Sequence, residues 1–170
     1  RGNLDWTMDL AKAARDPWVW GQTVLFLLVA LAAPLLPRYV NLGNADFLLN
    51  RVDPGWIRWL GAPLLVTGLL VIGWGVRSLG RNLTPGIEPL AGGSLVTSGA
   101  YAHIRHPIYA GAVLLLTGYA LVWSNWTLAL IVGFITLQYF EAKARAEERW
   151  LSQKFPDHEA YMRHVQRRVL

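Results

Sequence analysis

Four long apolar stretches divide this 170-residue chain and constrain its fold more than any other feature. A helix needs about 20 predominantly apolar residues to cross a hydrocarbon core of roughly 30 Å. The first two stretches meet that length, and the fourth can continue as a helix into the charged residues 141–155. We therefore predict an all-α integral membrane protein with about four transmembrane helices and a cytoplasmic C-terminal helical extension. The stretches are residues 18–36, 56–76, 107–123 and 126–140.

The composition supports a membrane protein. Hydrophobic residues make up 54% of the chain and charged residues only 16%, against about 25% charged residues in an ordinary soluble domain. The absence of cysteine excludes disulfides, thiolate metal sites and a cysteine nucleophile. The formal charge of +5 suits anionic lipid headgroups, and no sequence motif supports binding to nucleic acid.

The distribution of basic residues predicts the orientation. Most of the 16 lysines and arginines lie in the N-terminal segment, in residues 77–105 and after residue 141. The positive-inside rule then places both termini and the loop 77–106 in the cytoplasm. The segment 37–55 and a tight turn at Ser124-Asn125 would face the other side. This compact multi-pass form suggests a prokaryotic inner membrane.

The N-terminal segment is predicted to be interfacial. Residues 5–16 mix apolar and charged side chains, as does a short helix that lies in the plane of a membrane surface. The following apolar stretch is longer than the core of a signal peptide, so we expect a retained helix. We predict a single membrane domain over residues 1–170, with an interfacial segment at 1–17, two N-terminal helices at 18–79 and a C-terminal half at 80–170 that contains the motifs described below.

The first motif occupies residues 98–111. Pro107 suits the first turn of a helix, so Arg105 and His106 are expected at the N-terminal mouth of the third helix. A helix N-terminus flanked by basic side chains can bind an anion. The alternative is that Arg105 and His106 only anchor the helix at the lipid headgroups.

The second motif occupies residues 141–151 and continues the fourth helix out of the membrane. Its charges are spaced at i,i+4, which is also typical of a solvated helix with surface ion pairs. The adjacent pair Glu147 and Glu148 can instead receive hydroxyl or amino groups of a cofactor. The i,i+3,i+7 spacing predicts that Glu148, Leu151 and Phe155 share one face.

Other chemistries lack support. His103 and His106 stand at i,i+3, but no third ligand has metal-site spacing, so no metal is predicted. The chain has neither a dinucleotide-binding glycine fingerprint after a strand nor a phosphate-binding loop with a Gly-Lys-Ser/Thr ending. Ser94 and Ser98 have no base and acid partners at a recognisable spacing.

The two motifs together resemble a known family. The run from Leu95 to Gly111, which contains Arg105-His106-Pro107-x-Tyr109, and the later Glu147-Glu148-x-x-Leu151 are similar to the isoprenylcysteine carboxyl methyltransferases. The related phospholipid N-methyltransferases share the pattern. The resemblance covers about half of the chain, from residue 84 to residue 165.

The resemblance implies an integral membrane methyltransferase that uses S-adenosyl-L-methionine. It implies a cofactor pocket built from the C-terminal half and facing the cytoplasm, with a lipophilic acceptor or lipid substrate entering from the bilayer. Carried over by motif, the catalytic residues would be Arg105, His106, Lys143 and Arg145. The cofactor-binding residues would be Gly93, Ser94, Leu95, Val96, Tyr101, His106, Pro107, Ile108, Tyr109, Glu147 and Glu148.

The methyl acceptor stays open at this point. The family more often carries arginine where Lys143 stands, and lysine lacks the bidentate fork that grips a carboxylate. A phospholipid amine, a prenylated cysteine, a small hydrophobic thiol and another lipophilic carboxylate are all compatible. Two other classes compete, an NADPH-dependent enzyme like the membrane sterol reductases and a non-enzymatic membrane module. The sequence does not indicate an oligomeric state.

Overall fold

The computed structural model describes residues 14–39, 55–89, 92–123 and 126–170. Within these ranges the regular secondary structure is helical and contains no strand, which confirms the predicted all-α fold. Short 3-10 turns at Gly55–Leu60, Gly80–Asn82 and Gly99–Ala102 precede or follow the longer helices. The α-helices of the described ranges are α1 Pro17–Tyr39, α2 Gly61–Leu79, α3 Pro107–Trp123, α4 Trp126–Lys154 and α5 His158–His164.

In the described part of the chain, three segments are long and apolar enough to cross a membrane, namely Pro17–Leu36, Arg58–Asn82 and Trp126–Lys154. The helix α3 is equally apolar but has only 17 residues, or about 25 Å of length. It lies inside the bundle, where nine of its residues are buried. The expectation of about four membrane helices therefore corresponds to three long helices around one shorter, central helix.

The helices α2 and α3 pack backbone to backbone. A Cβ atom added to Gly68 would lie 2.5 Å from the backbone nitrogen of Leu115, and one added to Gly118 would lie 2.6 Å from that of Leu65. Such distances leave no room for a side chain. Because the glycines recur every seven residues, they form one continuous contact between the antiparallel helices. This glycine seam comprises Gly61, Gly68 and Gly75 of α2 and Gly111 and Gly118 of α3.

The two halves of helix α4 differ in character, the first being apolar and the second charged. Its first half exposes the large apolar side chains Leu130, Ile131, Phe134 and Ile135, as expected for a surface in contact with lipid. Its 29 residues span about 43 Å, which exceeds a hydrocarbon core of roughly 30 Å. The second half carries the charged motif, so the structure confirms that the fourth helix continues past residue 140.

The beginning of α1 is fixed by a side chain. Pro17 occupies the first helical position, and the Asp16 carboxylate accepts a hydrogen bond of 2.8 Å from the Trp18 backbone N–H. The other Asp16 oxygen accepts a hydrogen bond of 3.0 Å from the backbone N–H of Ile87. One carboxylate thus ties the start of α1 to the loop that follows α2.

Several sequence predictions lie outside the described residues. They are the turn at Ser124-Asn125, most of the segment 37–55 and all but the last residues of the interfacial segment 1–17.

Candidate functional site

A cavity of about 250 Å³ lies where the loop between α2 and α3 meets the second half of α4. Its described wall contains eleven of the residues predicted from the sequence to form the site. Three further predicted residues, Pro107, Arg145 and Glu148, do not line it. The predicted residues in the wall are Gly93, Ser94, Leu95, Val96, Tyr101, Arg105, His106, Ile108, Tyr109, Lys143 and Glu147.

The loop 93–96 is held against the end of α2. The backbone N–H of Ser94 donates a hydrogen bond of 2.9 Å to Asn82 Oδ1, in the 3-10 turn that follows α2. Further along, Gly99 has φ +63°, and a Cβ atom there would lie 2.4 Å from Ser78 Oγ. The same hydroxyl accepts a hydrogen bond of 3.1 Å from the Ala100 N–H. These contacts fix the turn that delivers Tyr101 to the cavity.

Tyr101 and Tyr161 line one side of the cavity and are joined by a hydrogen bond. The Tyr161 hydroxyl donates a hydrogen bond of 2.7 Å to the backbone oxygen of Tyr101. Burial raises the pKa of Tyr161 to about 12, and burial together with the nearby Glu147 raises the pKa of Tyr101. Both phenols therefore stay protonated at physiological pH.

Glu147 is the carboxylate that faces the cavity. Its side chain is 23% exposed, and its Oε2 accepts a hydrogen bond of 2.8 Å from the Tyr109 hydroxyl. The same oxygen lies 3.5 Å from His106 Nδ1. The Tyr109 ring stacks between the rings of His106 and Phe140, with centroid distances of 5.2 and 5.0 Å. The orientation of Glu147 is thus fixed by neighbours that leave one of its sides open to the cavity.

Glu148, the next residue, turns away from the cavity into a buried ionic network. Its side chain is only 8% exposed. Its Oε1 lies 2.8 Å from Arg105 Nε and 3.3 Å from His106 Nε2, and its Oε2 lies 2.9 Å from Arg168 Nε. Arg168 also contacts Glu141 at 3.1 Å. Glu148 thus binds three basic side chains and holds Arg105 and His106 from the side opposite the cavity.

The C-terminal segment 165–169 belongs to this network. The backbone N–H groups of Arg105 and His106 donate hydrogen bonds of 2.9 Å to the carbonyls of Arg167 and Arg168. The Arg105 guanidinium adds a hydrogen bond of 2.8 Å to the Val165 carbonyl, and Val169 is fully buried in the core. The segment therefore fixes the loop that precedes α3.

His106 connects the two glutamates. Burial alone would lower the pKa of the imidazole, but the hydrogen bonds and charges of Glu147 and Glu148 outweigh burial and raise this pKa above 6.5. Each ring nitrogen faces one of the carboxylates. This arrangement favours the imidazolium form, which can donate to both.

The two predicted basic residues of α4 have different positions. Lys143 is 1% exposed and lines the cavity, with Nζ donating to Gln22 Oε1 at 2.7 Å and to the Pro85 carbonyl at 3.3 Å. Arg145 is 61% exposed and pairs with Glu141 at 3.7 Å, one turn away on the helix surface. The structure brings only Lys143 to the cavity.

The sequence analysis did not identify several lining residues. One had a usable signal, because Gln22 is an amide in a predominantly apolar helix, and such polar residues usually face the protein interior. Leu151 and Phe155 were predicted to share a face, and they do line the cavity, but with Glu147 and not with Glu148. Leu79 is the last residue of α2, and the other residues lie in irregular loops or on short helices, where no periodicity indicates burial. The additional lining residues are Gln22, Leu79, Asn82, Leu83, Thr84, Pro85, Pro89, Leu151, Phe155 and Tyr161.

Three curated proteins illustrate what the chain resembles. The nickel-cobalt-cadmium resistance protein NccN of Alcaligenes xylosoxydans xylosoxydans is 31% identical over 62% of this chain and 49% of its own length. The cobalt-zinc-cadmium resistance protein CzcN of Cupriavidus metallidurans is 30% identical over 69% of this chain and 56% of its own. The protein-S-isoprenylcysteine O-methyltransferase of Schizosaccharomyces pombe is 32% identical over 42% and 30%, respectively. The chain spans about half the length of the first two relatives.

The family assignment rests on a longer match. The family model described as phospholipid methyltransferase matches residues 56–158, well over half of the chain. The matched residues include α2, α3 and α4, and with them both motifs and most of the cavity wall. The structure supplies the apolar helices that a membrane enzyme of this kind requires. The chain therefore belongs to the phospholipid methyltransferase family of integral membrane methyltransferases.

Proposed function

We propose that this protein transfers a methyl group from S-adenosyl-L-methionine to a lipophilic acceptor at the cytoplasmic face of a membrane. The observation that carries the proposal is the Glu147 carboxylate. It faces a largely apolar cavity and is held by the Tyr109 hydroxyl rather than by a lysine or arginine. Membership of a methyltransferase family supports the reaction class.

The cavity suits the two chemical halves of this cofactor. The apolar side chains of Leu95, Val96, Leu151 and Phe155 can contact the adenine ring. Glu147 can accept hydrogen bonds from hydroxyl or amino groups. We propose that the backbone of residues 93–96, with Tyr101, Ile108 and Tyr109, completes the cofactor site, and that Pro107 and Glu148 support it without facing the cavity.

The reaction asks little of the side chains. When bound, the cofactor supplies a sulfonium-activated methyl group, which moves to the acceptor while the carbon–sulfur bonding electrons stay on sulfur. The protein has to hold the acceptor in line with that bond and exclude water. The contacts of His106, Tyr109 and Phe140 fix the orientation of Glu147, which supports its proposed role in holding the cofactor for this alignment.

The protonation of His106 bears on the acceptor. A carboxylate or thiolate acceptor needs no base, whereas an ammonium acceptor has to lose a proton before it can attack. Because its pKa is raised, His106 is a hydrogen-bond donor at neutral pH. For an amine substrate we therefore propose that a carboxylate at the cavity, namely Glu147, accepts the proton.

The proposed location follows from the charge distribution. The cavity is lined by segments on which basic residues are concentrated, and the positive-inside rule favours the cytoplasmic side for those segments and for both termini. We propose a prokaryotic inner membrane as the setting. We propose that residues 80–170 form the catalytic half of the protein. Gln22 of α1, which lies outside this half, also lines the cavity.

An NADPH-dependent reductase is the competing enzyme class. Its cofactor carries a 2′-phosphate, which proteins usually bind with arginine. Arg105 is the arginine in the described cavity wall, and its guanidinium is already engaged by Glu148 and by the Val165 and Gln166 carbonyls. The geometry therefore favours S-adenosyl-L-methionine.

Calorimetric titration of the detergent-purified protein tests the proposal. We expect S-adenosylhomocysteine to bind and NADPH not to bind. A matched pair of variants locates the site. Glu147→Gln should lose affinity for S-adenosylhomocysteine, while Glu159→Gln, at an exposed glutamate of α5, should retain it. Binding of NADPH alone would assign the protein to the reductase class, and binding of neither ligand would favour a non-enzymatic module.

A further inference from the structure

The second half of α4 carries two arginines that the proposed reaction does not use. Arg145, predicted from the sequence to be catalytic, is 61% exposed, and Arg149 is exposed one turn further along the helix. Because each residue of an α-helix turns by about 100°, Glu147 points about 160° away from both arginines. The helix therefore separates these arginines from the cavity, and a ligand that they bind differs from a ligand of the cavity.

The same side of α4 exposes large apolar side chains in the first half of the helix. Ile131 precedes Arg149 by about five full helical turns, so the two residues point in the same direction. Phe134 points within about 20° of the direction of Arg145. Both Ile131 and Phe134 are exposed. One continuous surface therefore passes from apolar side chains to guanidinium groups.

The polarity of this surface changes in the same order as that of a phospholipid. Between the apolar side chains and the arginines lie Gln138 and Ala142, which are both exposed. A phospholipid presents acyl chains, then ester carbonyls, then a phosphate. An amide can donate to a carbonyl, and a guanidinium binds a phosphate. We call this surface the outer face of α4, formed by Ile131, Phe134, Gln138, Ala142, Arg145 and Arg149.

The length of α4 places the two arginines at the level of lipid headgroups. Measured from Trp126, the first residue of the helix, Arg145 is about 28 Å away and Arg149 about 34 Å. A hydrocarbon core is roughly 30 Å thick. Trp123 at the end of α3 and Trp150 beside Arg149 are exposed near the two ends of this distance. Tryptophan is enriched at both membrane–water interfaces, which supports this placement.

The protein neutralises the charge of the two arginines only weakly. Arg145 Nη2 lies 3.7 Å from Glu141 Oε2, and the same oxygen accepts a shorter hydrogen bond of 3.1 Å from Arg168 Nη1. On α4, the positions one turn before and after Arg149 carry no carboxylate. Like charges at i,i+4 on a helix repel each other. A phosphate that contacts both guanidinium groups replaces this repulsion by two charge-assisted interactions.

We propose that Arg145 and Arg149 bind the phosphate of an anionic phospholipid in the leaflet on the cavity side of the membrane. The acyl chains of this lipid lie along the apolar part of the outer face of α4. The lipid is a structural partner of the helix that also carries Glu147, and it is not a substrate. This interaction goes beyond the proposed methyl transfer and does not depend on it.

The absence of cysteine in the chain allows a local measurement. Ala142→Cys, on the outer face of α4, is labelled with a bimane fluorophore, and the full chain is reconstituted into phosphatidylcholine vesicles. Quenching of the fluorophore by spin-labelled phosphatidylglycerol is compared with quenching by phosphatidylcholine that carries the same spin label. Phosphatidylcholine has the same phosphate but no net charge. We expect the anionic lipid to be preferred by about fivefold for each arginine that contacts it.

Two matched pairs of substitutions locate the preference. Arg145→Gln or Arg149→Gln alone should lower it about fivefold, and the two together should remove most of it. The control combines Arg77→Gln with Arg81→Gln, which removes the same charge from exposed positions at the end of α2, on the same side of the bundle. The control pair should leave the preference at the label on α4 unchanged.

Equal quenching by the two lipids in the labelled protein without further substitutions would overturn the proposal. An equal loss of preference in the two pairs would also overturn it, because the preference would then follow the overall surface charge and not the outer face of α4. The proposed function is tested separately, by binding of S-adenosylhomocysteine. Its failure would leave the lipid preference as it is.

Discussion

Two consecutive glutamates of α4 stand in opposite surroundings. Glu147 faces the cavity, is 23% exposed and is held by a tyrosine hydroxyl and one edge of His106. Glu148 is 8% exposed and lies between Arg105, His106 and Arg168, away from the cavity. Consecutive residues of an α-helix point about 100° apart, which is sufficient to separate a binding surface from a structural core. Identical side chains therefore differ in role by position alone.

The difference separates two measurable quantities. The region around Glu148 satisfies buried charges, so its loss should appear in the free energy of unfolding. The region around Glu147 leaves a carboxylate available to a ligand, so its loss should appear in cofactor affinity. A single substitution at either glutamate that lowers both the free energy of unfolding and the cofactor affinity would contradict this division of roles.

The largest effect is expected for Glu148→Ala. Removal of this carboxylate leaves Arg105 and His106 buried without their shared counter-ion, and such a loss costs about 3–5 kcal/mol of unfolding free energy. Thermal unfolding of the detergent-purified protein, followed by circular dichroism, measures it. A Glu148→Ala protein as stable as the wild type would show that the network does not hold the fold.

The next effect concerns Glu147→Gln. The variant keeps the size of the side chain and leaves the Glu148 network intact, so we expect thermal stability close to that of the wild type. The affinity for S-adenosylhomocysteine should fall about 10- to 100-fold, the range for one hydrogen bond to a charged group. Calorimetric titration gives this value. A stability loss as large as that of Glu148→Ala would contradict the division between the two glutamates.

Arg168→Ala tests the C-terminal segment with a smaller change. Arg168 contacts Glu148 and Glu141 from a partly exposed position, and Glu148 keeps its two other partners in the variant. We expect a loss of about 1.5 kcal/mol in unfolding free energy, the lower end for a charged hydrogen bond. Denaturant unfolding provides the measurement, with Arg163→Ala as a control at an exposed position of α5. Equal losses in the two variants would count against the network.

The smallest effect is the pH dependence that His106 contributes. Its folded-state pKa is raised above 6.5 by Glu147 and Glu148, which outweigh burial. Its contribution to stability is therefore fully present below pH 6.5 and is lost as the pH rises through the raised pKa. We expect thermal stability to fall over that range, and to fall less in His106→Gln. Stability that rises there through His106 would contradict the imidazolium between the two glutamates.

The sequence was informative where periodicity and length determine structure. The apolar stretch at 107–123 coincides with α3, and the predicted extension of the fourth helix ends at Lys154, one residue before the predicted end. Hydropathy suffices for such elements because burial in lipid requires apolar runs of fixed length. The second stretch was less accurate, since its first residues form a 3-10 turn before α2 begins at Gly61.

The site was harder to predict, because its geometry depends on contacts between distant segments. Spacing grouped Glu148 with Leu151 and Phe155, whereas Glu147 shares the cavity with them. Lys143 reaches the cavity and Arg145, two residues later, does not. The contribution of Arg168 carries no local signal, because it arises from the pairing of residues 167–168 with residues 105–106. The catalytic and cofactor roles of all these residues remain predictions.

The glycine seam also has a mechanical consequence. Sliding α2 past α3 by one residue would bring bulky side chains such as Leu69 or Tyr119 against the opposite backbone, so the two helices cannot slide past each other by small steps. The two helices are therefore expected to move as one rigid unit. If the proposed lipophilic acceptor enters from the bilayer, we expect its path to avoid the contact between α2 and α3 and to run along one of the other helix boundaries.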